Sequence, residues 1–536
     1  MSVFIGYPSF MAYQMMKGKK DNNGGFPPIP GTIARYSALG LTNEEMSKNP
    51  VWVDKTGNGH DLQMKNFAWK GMSGVGGVST YYDKYEFTPD KYYMVAVSSG
   101  TQHAQFTFKV TGLVDGNILS LADTSSPSNV YGKWTQDGIY TVDIDVITDR
   151  SLYFYNGVSA TRGEFTIEIL PPYPGFILGD GVDDFAVTEK ELNFEDTYTV
   201  YTAFIPFQNN PTRNMILCGA DSKKTFSMQY SSLVYVSFIA GNNYYVNADF
   251  VNGLNLFACK RNGNNICIKN LLTNKVVTGT CGDWVENAGL YYLWKNATYA
   301  SFARAAIAGQ TICNGHYSTD EEDAKVLAWY KKEYPWLFPD QAWTVTGKTN
   351  EDKDRATIAN ITGNGNKLVL SNFGFIEGSG YNKEGEYAGY LVTDGVDDRI
   401  GSSIFEIGKD FTIIGEWKFM DNIIANVGIS KAPSLFVYNT NNGLRIFINN
   451  TTKGPVLNTK TLKAICSDGR VYSDDWSEMI VNEEQPITSS KSSLLIGING
   501  NNFAKIALKN LAIYNQILSK DDCIKAYNYL QSLKAK

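Results

Sequence analysis

An internal repeat constrains this chain more than any other feature. Asp54-Lys55-Thr56-Gly57-Asn58-Gly59-His60-Asp61-Leu62 is echoed by Asn360-Ile361-Thr362-Gly363-Asn364-Gly365-Asn366-Lys367-Leu368, and the match runs on to Asn66-Phe67 and Asn372-Phe373. Gly179-Asp180-Gly181-Val182-Asp183-Asp184 is echoed by Thr393-Asp394-Gly395-Val396-Asp397-Asp398. Thr311-Ile312-Cys313-Asn314 with Ser318 is echoed by Ala512-Ile513-Tyr514-Asn515 with Ser519. Three words in the same order, used twice, predict two copies of one folding unit. Asp180 lies 113 positions after Phe67 (180 − 67), whereas Asp394 lies 21 after Phe373 (394 − 373). An excess of that size is too long for a structureless loop in a compact unit, so a nested domain is expected inside the first copy.

The patterning is that of strands. In the inserted piece, 105–110 (QFTFKV), 140–146 (YTVDIDV) and 164–170 (EFTIEIL) alternate apolar and polar residues with period two. After each Asp-Gly-Val-Asp-Asp segment, 198–205 and 411–417 occupy corresponding places as further strands, with Asn- and Gly-rich turns beyond them. Each copy closes on a helix signal: Ser318-Thr319-Asp320-Glu321-Glu322 and Ser519-Lys520-Asp521-Asp522 put a cap and acidic first-turn residues ahead of an apolar stripe. An aromatic content of 13%, with 33 Tyr, suits such strands. The predicted organisation is a segment 1–35, a first β unit from 36–79 and 175–338, a nested β-sandwich at 80–174, and a second β unit at 339–536.

Several functions are argued against. Lys plus Arg is 48 and Asp plus Glu 54, a net charge of −6 with no long basic run, which does not suit nucleic acid. The seven cysteines show no metal-ligand spacing, and three histidines leave little for imidazole catalysis. No apolar stretch is long enough to cross a membrane as a helix. No phosphate-binding loop, serine-elbow or zinc-protease motif appears. The first residues do not read as a secretory signal, because Lys17, Lys19 and Lys20 follow the apolar stretch instead of preceding it.

The succession of an early D-x-T-G-N-G turn, a central D-G-V-D-D, a late I-Y-N and a terminal S-x-x-D/E helix resembles the LamG-like, concanavalin A-like lectin/glucanase superfamily, in the form common in phage and Bacteroidetes surface proteins. The resemblance covers roughly 36–79 with 175–338, and again 344–534, and leaves out the nested piece. It implies an all-β protein of two jelly rolls, the first interrupted by the nested sandwich and each ending in a short α-helix. It also implies display on a surface, with glycans or proteins as ligands. The glucanases of the superfamily carry a strand reading E-x-D-x-x-E, with alternate acids on one face, and no such strand is found here. A non-enzymatic binding protein is therefore expected, and an unrecognised acid pair is the enzymatic alternative.

Candidate residues follow. Asp180, Asp183 and Asp184 could ligate calcium only as a weak alternative, since the turn they build is the favoured explanation, so no cofactor is expected. Tyr244, Tyr245, Trp284, Tyr292 and Trp294 crowd the first copy and are the candidates for stacking on sugars. Phe4, Tyr7, Phe10 and Tyr13 lack a local core and are expected to anchor the chain to a larger particle, with Pro27-Pro28-Ile29-Pro30 as spacer. The expected setting is a phage virion surface, as a head or tail fibre or decoration protein. Its partners would be other virion proteins such as those of capsid or tail, further copies of itself, and a host-surface glycan or protein. A bacterial surface glycan-binding protein is the alternative.

Overall fold

A computed structural model describes residues 25–531, apart from 68, 70–83, several loops of the 84–172 segment, and 181–182, 207–214, 221–225, 231–234, 240–244, 250–252, 285–287, 296–301, 364, 421–426, 432–434, 441–442, 449–460, 474, 481–489 and 500–501; residue 533 is also described. The chain is all-β, built from antiparallel sandwiches with few helices. In the first sandwich, one sheet runs in the order Thr32–Ser37, Arg304–Asn314, Thr197–Pro206, Asn255–Asn262, Asn265–Asn270, Lys275–Thr280, with Ile177–Asp180 also paired to Arg304–Asn314. The facing sheet runs Tyr245–Asp249, Tyr235–Ile239, Ser227–Tyr230, Met215–Ala220, Tyr291–Leu293, Phe185–Thr188, Leu62–Lys65, Val51–Trp52. Trp52, Leu62, Tyr198, Phe226, Phe238 and Phe257 fill the space between them. The second sandwich repeats the plan around Trp343, Trp417, Ile465 and Leu494.

Two four-stranded sheets, with all their strands between Lys84 and Leu170, pack around Phe108, Leu121, Phe154 and Ile167. The period-two stretches of the insertion are strands there, Gln102–Thr111, Gly138–Val146 and Phe165–Leu170.

The repeated words do repeated work. Asp54 accepts the Arg35 backbone N–H at 3.0 Å and the Thr56 N–H at 2.9 Å, tying the early turn to the first strand. Asn360 does the same for Ala342 and Thr362, at 3.3 and 2.9 Å. The next residue on each strand then ties the turn from its other end. Tyr36 donates its hydroxyl to the His60 carbonyl, and Trp343 donates its indole N–H to the Asn366 carbonyl at 2.8 Å. Thr199 and Thr412 likewise each donate to the loop before a terminal helix, at the His316 and Gln516 carbonyls, and accept from Ser318 and Leu518.

The terminal helices, Asp320–Glu333 and Lys520–Gln531, lie on the outer face of the sheet that holds the late strand. One apolar cluster joins them and both sandwiches, through Tyr201, Leu256, Trp329, Trp336, Trp476, Tyr514 and Tyr527. Tyr514 donates to the Trp336 carbonyl at 2.8 Å, and the Tyr529 hydroxyl accepts the Leu254 N–H at 2.9 Å. The two jelly rolls are therefore packed on each other through shared helices.

A carboxylate docks each helix, buried in the first copy and half-buried in the second, but from opposite partners. Asp323, on the first helix, meets Lys260 at 2.7 Å and Lys269 at 3.0 Å, and accepts from the Tyr201 and Ser318 hydroxyls, both at 3.0 Å. In the second copy the carboxylate is on the sheet. Glu416 accepts from Tyr527 and Gln531 of the helix at 3.2 and 2.6 Å, and from the Tyr390 hydroxyl. Burial alone would raise Glu416, but the Lys509 charge and the Tyr390 bond hold it below the usual carboxylate range.

The N-terminal boundary differs from the expectation. The strand Thr32–Ser37 belongs to the first sandwich, so a division at residue 36 cuts through it. The proline segment does not act as a spacer, because Phe26 and Ile29 are buried beside Trp329. The tertiary pocket under the helix supplies the core that this stretch lacks locally.

Candidate functional site

In the second jelly roll the Asp-Gly-Val-Asp-Asp turn carries the chain from the strand Leu391–Val392 of one sheet to the strand Arg399–Ile407 of the facing sheet. In the second copy Asp394 Oδ1 accepts the N–H groups of Val396, Asp397 and Asp398 at 2.8, 3.3 and 3.4 Å. Asp398 accepts from the Asp394 N–H at 2.7 Å and from the Ser379 hydroxyl at 3.1 Å. The turn is clamped from outside by a left-handed asparagine. Asn372, at φ 69°, donates to the Asp397 carbonyl at 3.1 Å, and Asn66, at φ 68°, donates to Asp183 at 3.0 Å. Asparagine tolerates that backbone better than other residues with a Cβ.

The residue after the turn starts an outward-facing row. In the first copy, Ala186 and Thr188 point into the core while Phe185 and Val187 are half-buried on the outer face. The neighbouring strand Tyr291–Leu293 buries its ends and turns Tyr292 outward. Phe185 then lies 6.4 Å from both Tyr292 and Phe302, centroid to centroid. The Lys295 ammonium sits 4.5 Å from the Phe185 ring and 5.3 Å from that of Phe302. Lys65 stands opposite Phe185 on the adjacent strand. The result is a half-exposed aromatic cluster with an ammonium over two of its rings and a second cation on the adjacent strand, chemically suited to an amphipathic ligand.

In the second copy the equivalent position is Arg399, exposed, with its guanidinium 5.5 Å from the Phe503 ring. It borders an open groove of about 610 Å³ lined by Val369, Ser371, Gly401, Ser403, Leu495 and Ile498 among others.

Of the residues singled out in the sequence, Tyr292 is on this face. Trp294 is not a surface group: it is fully buried, its indole N–H donates to the Ala305 carbonyl at 2.8 Å, and its ring lies 6.2 Å from Trp52. Strand alternation would put it beside Tyr292, but φ of 61° at Trp294 turns it inward, into space that Gly179 leaves open: a Cβ there would meet the indole at 2.3 Å. Trp284 is half-buried, packs against the core and lies under the Arg261 guanidinium at 4.9 Å. Tyr245 begins a strand four places across the sheet from Tyr292, about 19 Å at the usual strand spacing. Tyr244, Phe4, Tyr7, Phe10 and Tyr13 lie outside the described residues, as does the Asp180 side chain. Asp183 is exposed and Asp184 buried.

The carboxylates of Asp394, Asp397 and Asp398 come within 4.8 Å of one another. The three carry six oxygens, but Asp394 Oδ1 and both Asp398 oxygens already accept the bonds of the turn, which explains the cluster without an ion. Burial, with Asp394 and Asp397 adding repulsion, pushes Asp398 up to about 6.

Phe185, Phe302, Lys295 and Arg399 were not singled out by sequence reasoning. A signal was present for Phe185 and Arg399, which directly follow the repeated Asp-Asp. None was present for Lys295 and Phe302, which lie just beyond the strands Tyr291–Leu293 and Arg304–Asn314 and which the fold brings to Phe185.

The class defined by this architecture is a tandem of all-β jelly rolls with a nested sandwich. No family model and no curated protein matches the chain. Among solved structures, botulinum neurotoxin type C is similar at TM-score 0.29 and 8% identity, over 89% of this chain and 98% of that one. A Trypanosoma rangeli sialidase in complex with sialic acid is similar at TM-score 0.27 and 9% identity, over 82% of this chain and 86% of that one. The binding domain of botulinum neurotoxin DC in complex with SialylT is similar at TM-score 0.26 and 8% identity, over 61% and 87%. At these scores the likenesses carry no argument about binding or catalysis in this chain.

Proposed function

We propose that this protein is a non-catalytic glycan-binding component of a phage virion surface, presenting the outer faces of its two jelly rolls to host carbohydrate. The observation that carries the binding reading is the half-exposed cluster of Phe185, Tyr292 and Phe302, with the Lys295 ammonium over two of its rings. Aromatic faces stack on the C–H faces of pyranose rings, while a nearby ammonium meets polar substituents. Two jelly rolls held by one continuous core would present two faces in a fixed relation, and two linked sites multiply avidity. The virion setting is supported by the resemblance to LamG-like surface proteins, and self-association would raise valency further.

The test of binding is a glycan array with the full chain and with Tyr292→Ala and Phe185→Ala. Retained binding in both variants refutes this site. The test of setting is immunogold microscopy of purified particles with antibody to this chain. Label on bacterial envelopes and none on virions would move the protein to the bacterial surface.

A further inference from the structure

We infer that the groove on the outer face of the second jelly roll takes a sugar bearing a carboxylate, with Arg399 as the residue that reads the charge; this rests on the glycan-binding reading above. The groove is built by register. Val369 stands opposite Gly401, and Gly401 opposite Leu495, so one row across three strands is apolar at both ends and open in the middle. Ile498 extends the apolar floor. Ser371 and Arg399 stand opposite each other in the next row.

At about 610 Å³ the space is in the range of small-ligand sites. Its floor is aliphatic, so it offers C–H contact without the ring stacking of the first jelly roll. Arg399 is the cation of the lining. Its guanidinium rests against Phe503 on one side, which limits its rotamers and leaves a planar fork that matches a carboxylate with two parallel bonds. Among the described residues none of the acids nearest in sequence forms an ion pair with it. Asp394 and Asp398 hold the turn together, and only Asp397 is exposed. Ser371 and Ser403 add hydroxyls at the rim; Ser403 donates to Asn366 and keeps acceptor capacity. The position that is Phe185 in one copy and Arg399 in the other thus separates two kinds of sugar face on one scaffold.

The chemistry is common to hexuronates and to nine-carbon sialic acids, and the test separates them. The full chain is titrated calorimetrically with an oligogalacturonate, an oligosialic acid and the carboxyl-reduced form of each. The expectation is that one acidic oligomer binds at least about tenfold tighter than its reduced form, and that Arg399→Gln removes this margin. Gly401→Leu should also abolish the acidic binding by filling the floor. The site tolerates a Cβ, whose nearest neighbour would be Leu495 Cδ2 at 3.5 Å. Tyr292→Ala should leave the acid preference in place. Equal affinity for acidic and reduced oligomers, failure of both acidic oligomers to bind, or a margin that survives Arg399→Gln overturns the inference. Array binding that depends on Tyr292 and ignores Arg399 would sink this inference alone, whereas no carbohydrate binding anywhere would sink the general reading too.

Discussion

Replacing Asp323 by alanine should loosen the first terminal helix from its sheet. The carboxylate is 2% exposed and serves two ammonium groups and two hydroxyls. Its loss is not uniform among them. Lys269 keeps Asp320 at 2.6 Å, and Lys260 keeps the Ser318 carbonyl at 2.9 Å. What remains uncompensated is the Lys260 charge, on a side chain 4% exposed, together with the Tyr201 and Ser318 hydroxyls. Removing one member of a buried pair costs about 3–5 kcal/mol, and the two retained contacts place this case towards the lower end. Urea unfolding followed by tryptophan fluorescence gives the global change, since Trp329 and Trp336 lie in the affected cluster. Hydrogen exchange across 320–333 gives the local one. Lys260→Met in the same chain should recover much of the loss, because no unpaired charge then remains. A cost below about 1 kcal/mol for the single variant, or a double variant less stable than the single one, would refute the argument that desolvated charge governs this contact.

Asn372→Ala should destabilise the second jelly roll by about 1–3 kcal/mol, because it strains a backbone at φ 69° and removes the bond to Asp397; unchanged melting would refute the clamp. Asp398, held up at about 6 in the folded chain against an ordinary 3.8, binds a proton on folding between those values, so its contribution to stability is greatest below about pH 4 and declines as pH rises to about 6. The melting-temperature difference between the native chain and Asp398→Asn should therefore shift against the native chain over that window, and a difference flat in pH would contradict the assignment. Millimolar calcium should leave the melting temperatures of the native chain and of Asp397→Asn equally unchanged; a rise in the native chain that the variant lacks would establish a metal site instead. Tyr529→Phe should cost about 1–3 kcal/mol and weaken the contact between the jelly rolls, since the buried Leu254 N–H loses its acceptor; this is read by exchange at Leu254.

The amino-acid sequence by itself determined the repeat, the strand-rich class and the nested insertion. Those properties are written in short-range patterns: turn words that need particular side chains, period-two strands and capped helices. The equivalence of Asp54 with Asn360 is readable from spacing alone, because each serves a local turn. Tertiary structure decided the rest. Trp294 belongs to the core because one left-handed residue overrides strand alternation. Phe26 and Ile29 belong to the first sandwich because a helix some three hundred residues later covers them. The docking carboxylate sits on the helix in one copy and on the sheet in the other, so no aligned pair of residues reveals it. The binding faces depend most on the fold. Lys295 and Phe302, from the connection after Tyr291–Leu293, meet Phe185 only in the folded chain, and the groove beside Arg399 exists because Gly401 has no side chain between Val369 and Leu495. Loop packing fixes the first set of contacts and cross-strand register the second, and both are properties of the assembled sheets.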